Sequence, residues 1–184
     1  KKNNIPEDKV EIIVGGADMT PLVAGQVDVF TGWLTNTTAL KPLGKDRIDL
    51  RLWDSGVKLY ALPYYATHDT LAKKPEMVAA FLRASAKGWE WAYSNREKAV
   101  DLLVKEYPNL VKADEIEAAD VMLKYEFTPA TKANGWGQMD MANWAEQIKL
   151  YDDLKQFSAG PPKLDAVATT AILEATKDKR PKIG

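Results

Sequence analysis

Cysteine is missing from all 184 residues, which removes disulfides, thiolate nucleophiles, thiol redox chemistry and Cys-based zinc sites together. That absence leaves the compartment open, because an oxidising one is permitted and not required. Histidine is scarce as well. His68 stands alone, so no His–His metal pair exists and one imidazole at most serves as a base. Beside Asp69 and after an apolar segment, it reads as a structural or solvated residue. Neither sign of charge is in excess: 25 Lys and Arg face 26 Asp and Glu, a net charge of −1. No field gathers a polyanion, so nucleic acid is not an expected partner. No apolar run approaches the roughly 18–20 residues of a membrane-spanning helix, and the start shows no signal-peptide pattern. Internal repeats and low-complexity tracts are absent too.

What is present is a core-forming composition. With 46% hydrophobic residues and six Trp, the chain has the material for one domain or one and a part. Lys1-Lys2-Asn3-Asn4-Ile5-Pro6 reads like a helix end: cations, an Asn suited to a left-handed turn, then Pro. The expectation is a chain that begins inside a larger protein. Lys1-Lys2 and Lys177-Asp178-Lys179-Arg180 read as solvated charged ends.

Apolar periodicity divides the chain into an α/β segment over residues 1–66 and a helical region over 67–184. Val10 to Val14 is a β-branched run ending at Gly15-Gly16, and Val27 to Thr31 is a second one ending at Gly32. Between them Asp18 or Thr20 caps a short helix through Leu22, Val23 and Ala24, which Gly25 stops. Two strands joined by a helix make a βαβ unit. Ile48 to Trp53 alternates as a third strand. Lys58 to Thr67, with Pro63 inside it, suits an extended edge segment. The period then becomes helical: Val78, Phe81, Leu82, Ser85 and Trp89 form a stripe on a helix from Pro75 to about Tyr93. Asn95, Asp114, Asp140 and Asp165 are the expected caps of four further helices, with Pro108 and Pro129 as separators.

No residue cluster carries obvious catalysis. The pairs Asp18 with Asp28, Asp152 with Asp153 and Glu115 with Glu117 sit at helix starts and polar faces, so caps and solvation account for them better than paired acid–base work. Gly15-Gly16-Ala17-Asp18 lies where backbone N–H groups at a helix start face an anion, but it lacks a P-loop ending and a dinucleotide fingerprint. Trp33, Trp53, Tyr60, Tyr64 and Tyr65 gather near expected strand ends, where open sheets place ligands. Gly135-Trp136-Gly137 sets an indole between helices, over a pocket mouth or in an ordinary turn.

Three ordered phrases have a familiar look: Leu22-Val23-Ala24-Gly25-Gln26-Val27-Asp28 followed by Thr31-Gly32-Trp33; Lys74-Pro75-Glu76-Met77-Val78 on to Gly88-Trp89-Glu90-Trp91-Ala92; and Trp144-Ala145-Glu146-Gln147-Ile148. Together, over most of residues 3–157, they resemble periplasmic solute-binding proteins of the NMT1/THI5-like group. The resemblance implies a periplasmic binding protein type 2-like α/β fold. Residues 1–66 would be part of the second lobe, and 67–184 the crossover and C-terminal helices packing on the first lobe. It implies an extracytoplasmic binder that closes over a small solute and docks on a membrane ABC permease, with no cofactor, no metal and no catalytic residue.

On that resemblance the ligand residues are Asp18, Thr31, Gly32, Trp33, Asn36, Tyr60 and Tyr64. Trp33 and Tyr60 stack on or wall a planar ring, Thr31 and Asn36 bond its polar edge, Gly32 admits close backbone approach, and Asp18 pairs with a ring amine. A planar heterocycle such as a thiamine pyrimidine precursor is the expected solute. Nitrate, taurine and other alkanesulfonates are the alternative, though the site has few cations for them and only Gly15 and Gly16 in their favour. An enzyme of the same fold that forms the pyrimidine uses a Cys-rich motif, which this chain lacks; His68 would be its only imidazole base. A module that pairs with a second copy is the third reading, and the oligomeric state is left open.

Overall fold

The computed structural model describes residues 4–183, so the helix-end reading of Lys1-Lys2-Asn3 lies outside the described residues. Two compact units make up the chain, residues 1–47 and residues 48–184.

The first unit holds two single-turn helices, α1 (Thr20–Val23) and α2 (Thr37–Leu40). Pro21 presets the first turn of α1, and Asp18 accepts a hydrogen bond from Thr20 N at 2.9 Å just ahead of it. Gly25, at φ +68°, ends that turn in the left-handed region, as its sequence position predicts. Asn36 caps α2 by accepting from Ala39 N at 3.4 Å. Among the described residues of this unit, Met19, Thr37 and Leu40 are buried.

The second unit is helical: α3 (His68–Lys73), α4 (Pro75–Ser94), α5 (Arg96–Glu106), α6 (Lys112–Glu126), α7 (Pro129–Asn134), α8 (Met141–Asp153), α9 (Leu164–Val167) and α10 (Ala171–Ala175). Its starts follow local chemistry. Thr67 caps α3, Pro75 opens α4, and Asp140 caps α8 by accepting from Ala142 N at 2.8 Å. Thr128 and Thr131 form a reciprocal capping box around Pro129 at the start of α7. α5 packs on α6, where the Arg96–Asp120 and Lys112–Asp101 ion pairs join them, and α10 packs on α4. The core gathers Leu82 and Ala86 of α4, Phe127, Trp136 and Leu173 of α10.

Several expectations are corrected. Among the described residues no strand forms, so the α/β class and the βαβ unit are not what this structure displays, and the partial-lobe description gains no support from it. Val10–Val14, Val27–Thr31 and Ile48–Trp53 include no ladder, and Ile12, Val14, Ile48 and Leu50 stand 86, 96, 83 and 79% exposed. The reason is that a strand is completed by a neighbour's backbone N–H and C=O groups, whereas a helix satisfies its own. These segments have a β-forming pattern, and none of them joins a strand ladder among the described residues. The stripe on α4 is also shifted: Ala79, Leu82 and Ala86 are buried and Phe81 is exposed. Asn95 stands at the start of α5 but donates backward to Trp91 O at 3.0 Å instead of capping forward. Asp114 lies inside the first turn of α6, which begins at Lys112. The helix expected after Asp165 is broken into α9 and α10.

Candidate functional site

Residues 1–47 carry five of the sequence-named ligand residues: Asp18, Thr31, Gly32, Trp33 and Asn36. An open depression of about 550 Å³ lies beside α1, lined by Asp18, Met19, Thr20 and Val23 together with Ala39 of α2 and Pro42. Its size falls in the range of small-molecule sites, and its lining is largely apolar. Asp18 is the one named residue on its wall. Gly32 lies close by: a Cβ placed there would sit 3.5 Å from Met19 Cε. Trp33 is 65% exposed, which leaves much of its side chain open to a partner. Thr31 is exposed too. Asn36 spends its side-chain oxygen on the α2 cap, which leaves its amide N–H groups as donors.

Electrostatics here are set by Asp18. Hydrogen bonds from the Thr20 side chain and backbone hold its carboxyl below the usual carboxylate range, so it is ionised at neutral pH. No free helix start accompanies Gly15-Gly16. α1 starts at Thr20, has four residues, and its Thr20 N–H already donates to Asp18.

Tyr60 and Tyr64 lie in the second unit and play different parts. The Tyr60 hydroxyl accepts from Asp140 N at 2.7 Å and from Asn143 Nδ2 at 3.3 Å, which ties the segment before α3 to the start of α8. Its ring lies 5.6 Å from that of Trp144 and 6.3 Å from that of Trp53, and Lys58 Nζ stands 5.9 Å from the Trp53 ring centroid. Tyr64 is 57% exposed, with its ring edge-on to Phe81 at 5.4 Å and tilted toward Trp136 at 6.1 Å.

Trp136 is not at a pocket mouth. It is 4% exposed in the core, and its indole N–H donates to Glu126 Oε2 at 2.8 Å. Burial pushes the Glu126 carboxyl above its usual range, and the indole bond offsets part of that rise. Arg180, expected in a solvated end, is 5% exposed. Sequence reasoning flagged Gly135-Trp136-Gly137 but had no signal for Glu126 or Arg180, whose partners lie 10 and 44 residues away. His68 opens α3 in an exposed position.

Comparison with known proteins places these features in a family. The family model described as NMT1/THI5 like matches residues 1–99, more than half of the chain. A formylaminopyrimidine-binding protein of Halalkalibacterium halodurans is 29% identical over 139 residues, covering 71% of this chain and 41% of that relative. The chain thus spans well under half of the relative's length. No solved structure matches. With the family model covering residues 1–99 and the pyrimidine-binding relative aligning over 139 residues, the chain belongs to the NMT1/THI5-like family, whose fold is of the periplasmic-binding-protein kind.

Proposed function

We propose that this chain is part of a solute-binding protein that captures a small planar pyrimidine, with a formylaminopyrimidine as the first ligand to test, and that it does no chemistry on it. The observation that carries this reading is the likeness to the formylaminopyrimidine-binding protein. The exposed Trp33 ring, the apolar depression and the ionised Asp18 support it, because a flat ring with amino groups needs a stacking face and an acceptor. Thr31 and the Asn36 amide supply donors for the ring's polar edge, and Gly32 admits close approach. Tyr64, exposed in the second unit, offers an aromatic face of its own, whereas the Tyr60 ring is packed against Trp144 and Trp53. In this reading the binder works outside the cytoplasm and hands its solute to an ABC permease in the membrane.

The anion alternative, nitrate, taurine or another alkanesulfonate, has less behind it now that Gly15 and Gly16 face no helix start with free N–H groups. Isothermal titration calorimetry of the chain with a formylaminopyrimidine, nitrate and taurine tests the reading. Saturable 1:1 heat with the pyrimidine alone, and recovery of the unchanged compound by mass spectrometry, is the expected result. Tighter binding of either anion, or turnover of the pyrimidine that stops on His68→Ala, overturns it.

A further inference from the structure

The segment after α10 folds back onto the loop that carries Trp136. Thr176 is 1% exposed, and its hydroxyl donates to Ile172 O at 2.7 Å. Trp136 N donates to Pro181 O at 2.9 Å, and the Thr131 hydroxyl lies 3.2 Å from Ile183 O. Between these bonds sits Arg180, whose guanidinium donates to Trp136 O, to Asn134 O at 3.3 Å and to Leu173 O at 3.2 Å. Gly135 makes room for it: at φ +89° it carries no Cβ, and one placed there would lie 3.2 Å from Arg180 Nη1.

A buried plug for this loop needs only an apolar side chain, and a buried cation is the more expensive choice in desolvation. What the guanidinium adds is direction. Its planar fork reaches three carbonyls that diverge, which neither an alkyl group nor the point charge of Lys does. The group so fixed is Trp136, held at its backbone by the tail and at its indole by Glu126. Trp136 in turn contacts the exposed ring of Tyr64, which also meets Phe81 edge-on.

We propose that Arg180 is a positioning residue: through it the C-terminal segment sets the Trp136 loop and, by way of Trp136, the orientation of the exposed Tyr64 ring. Its consequence for ligand binding rests on the reading of Tyr64 as an aromatic face for the solute. The whole 15N-labelled chain with Arg180→Lys, which retains charge and length but not the fork, is the first test. Helical content by circular dichroism stays at the wild-type level. The Trp136 amide and indole N–H resonances move, and the Tyr64–Trp136 ring cross-peaks are lost. Affinity for a formylaminopyrimidine falls about tenfold, as it does in Tyr64→Ala, and the double variant loses no more than either alone.

Unmoved Trp136 resonances and intact Tyr64 cross-peaks in a folded Arg180→Lys overturn the proposal. So do moved resonances with unchanged affinity. If the wild-type chain binds no pyrimidine, the proposed function falls, and the cross-peaks alone decide whether Arg180 sets Tyr64. Should Arg180→Lys not fold, Gly135→Ala presses on the guanidinium from the loop side and is read the same way.

Discussion

Trp136→Phe isolates what the indole N–H does for the core. Phe preserves an aromatic ring among Leu82, Ala86, Phe127 and Leu173 but gives up the 2.8 Å bond to Glu126 Oε2. Losing a hydrogen bond to a charged group costs about 1.5–3 kcal/mol, and the half-exposed Glu126 argues for the lower end, about 1.5 kcal/mol. The smaller ring leaves roughly 40 Å³, which at about 24 cal/mol per Å³ adds about 1 kcal/mol. The sum, about 2–3 kcal/mol, corresponds to a fall in Tm of about 4–12 °C for a chain of this size. The deficit also depends on pH. Because burial raises the folded pKa of Glu126 above its unfolded value, the native state binds more protons between the two, and stability drops as pH rises through that window. The indole bond favours the ionised form, so removing it lifts the folded pKa further and widens the window upward. Urea unfolding of both proteins at about pH 4 and about pH 7, followed by circular dichroism, should show a larger deficit at the higher pH. A deficit below about 0.5 kcal/mol, or one equal at both pH values, refutes the argument.

Three further outcomes follow from single features. Gly135→Ala combines a φ of +89° with a Cβ pressed 3.2 Å from Arg180 Nη1, so it should cost about 1–3 kcal/mol in urea unfolding; a neutral result means the loop relaxes freely. Asp140→Ala removes the α8 cap to Ala142 N and should cost about 1 kcal/mol in the same measurement, with the midpoint moved and the slope unchanged. Trp33→Ala, at a ring 65% exposed, should leave Tm within about 2 °C while weakening pyrimidine binding about tenfold by calorimetry; unchanged affinity removes Trp33 from the site.

Legibility follows the range of the interaction. Pro75, Asp140 and Gly25 act within one turn of chain, and the start of α4, the cap of α8 and the end of α1 appear where those residues stand. Asp114 misled because an acidic residue suits the first turn as well as the cap. Within the candidate site, Trp33 and Asp18 were named on the family resemblance, and of the two only the turn at Asp18, which accepts from Thr20 N two residues on, is a local property of the chain. The commitment of the Tyr60 hydroxyl to Asp140 and Asn143, some 80 residues later, could not.

The sequence by itself determined the family, the helical character of most of residues 75–153 and starts such as Pro75 of α4 and Asp140 of α8, since i to i+4 bonding and capping need no distant partner. Tertiary structure alone decided the rest. A β-branched run such as Val10–Val14 becomes a strand only against a neighbour, and a charged end such as Lys177–Arg180 gives up one residue to the interior only because three carbonyls await it across the fold. Both depend on contacts between residues far apart in the chain, such as Arg180 with Asn134 and Trp136, which spacing and composition do not encode.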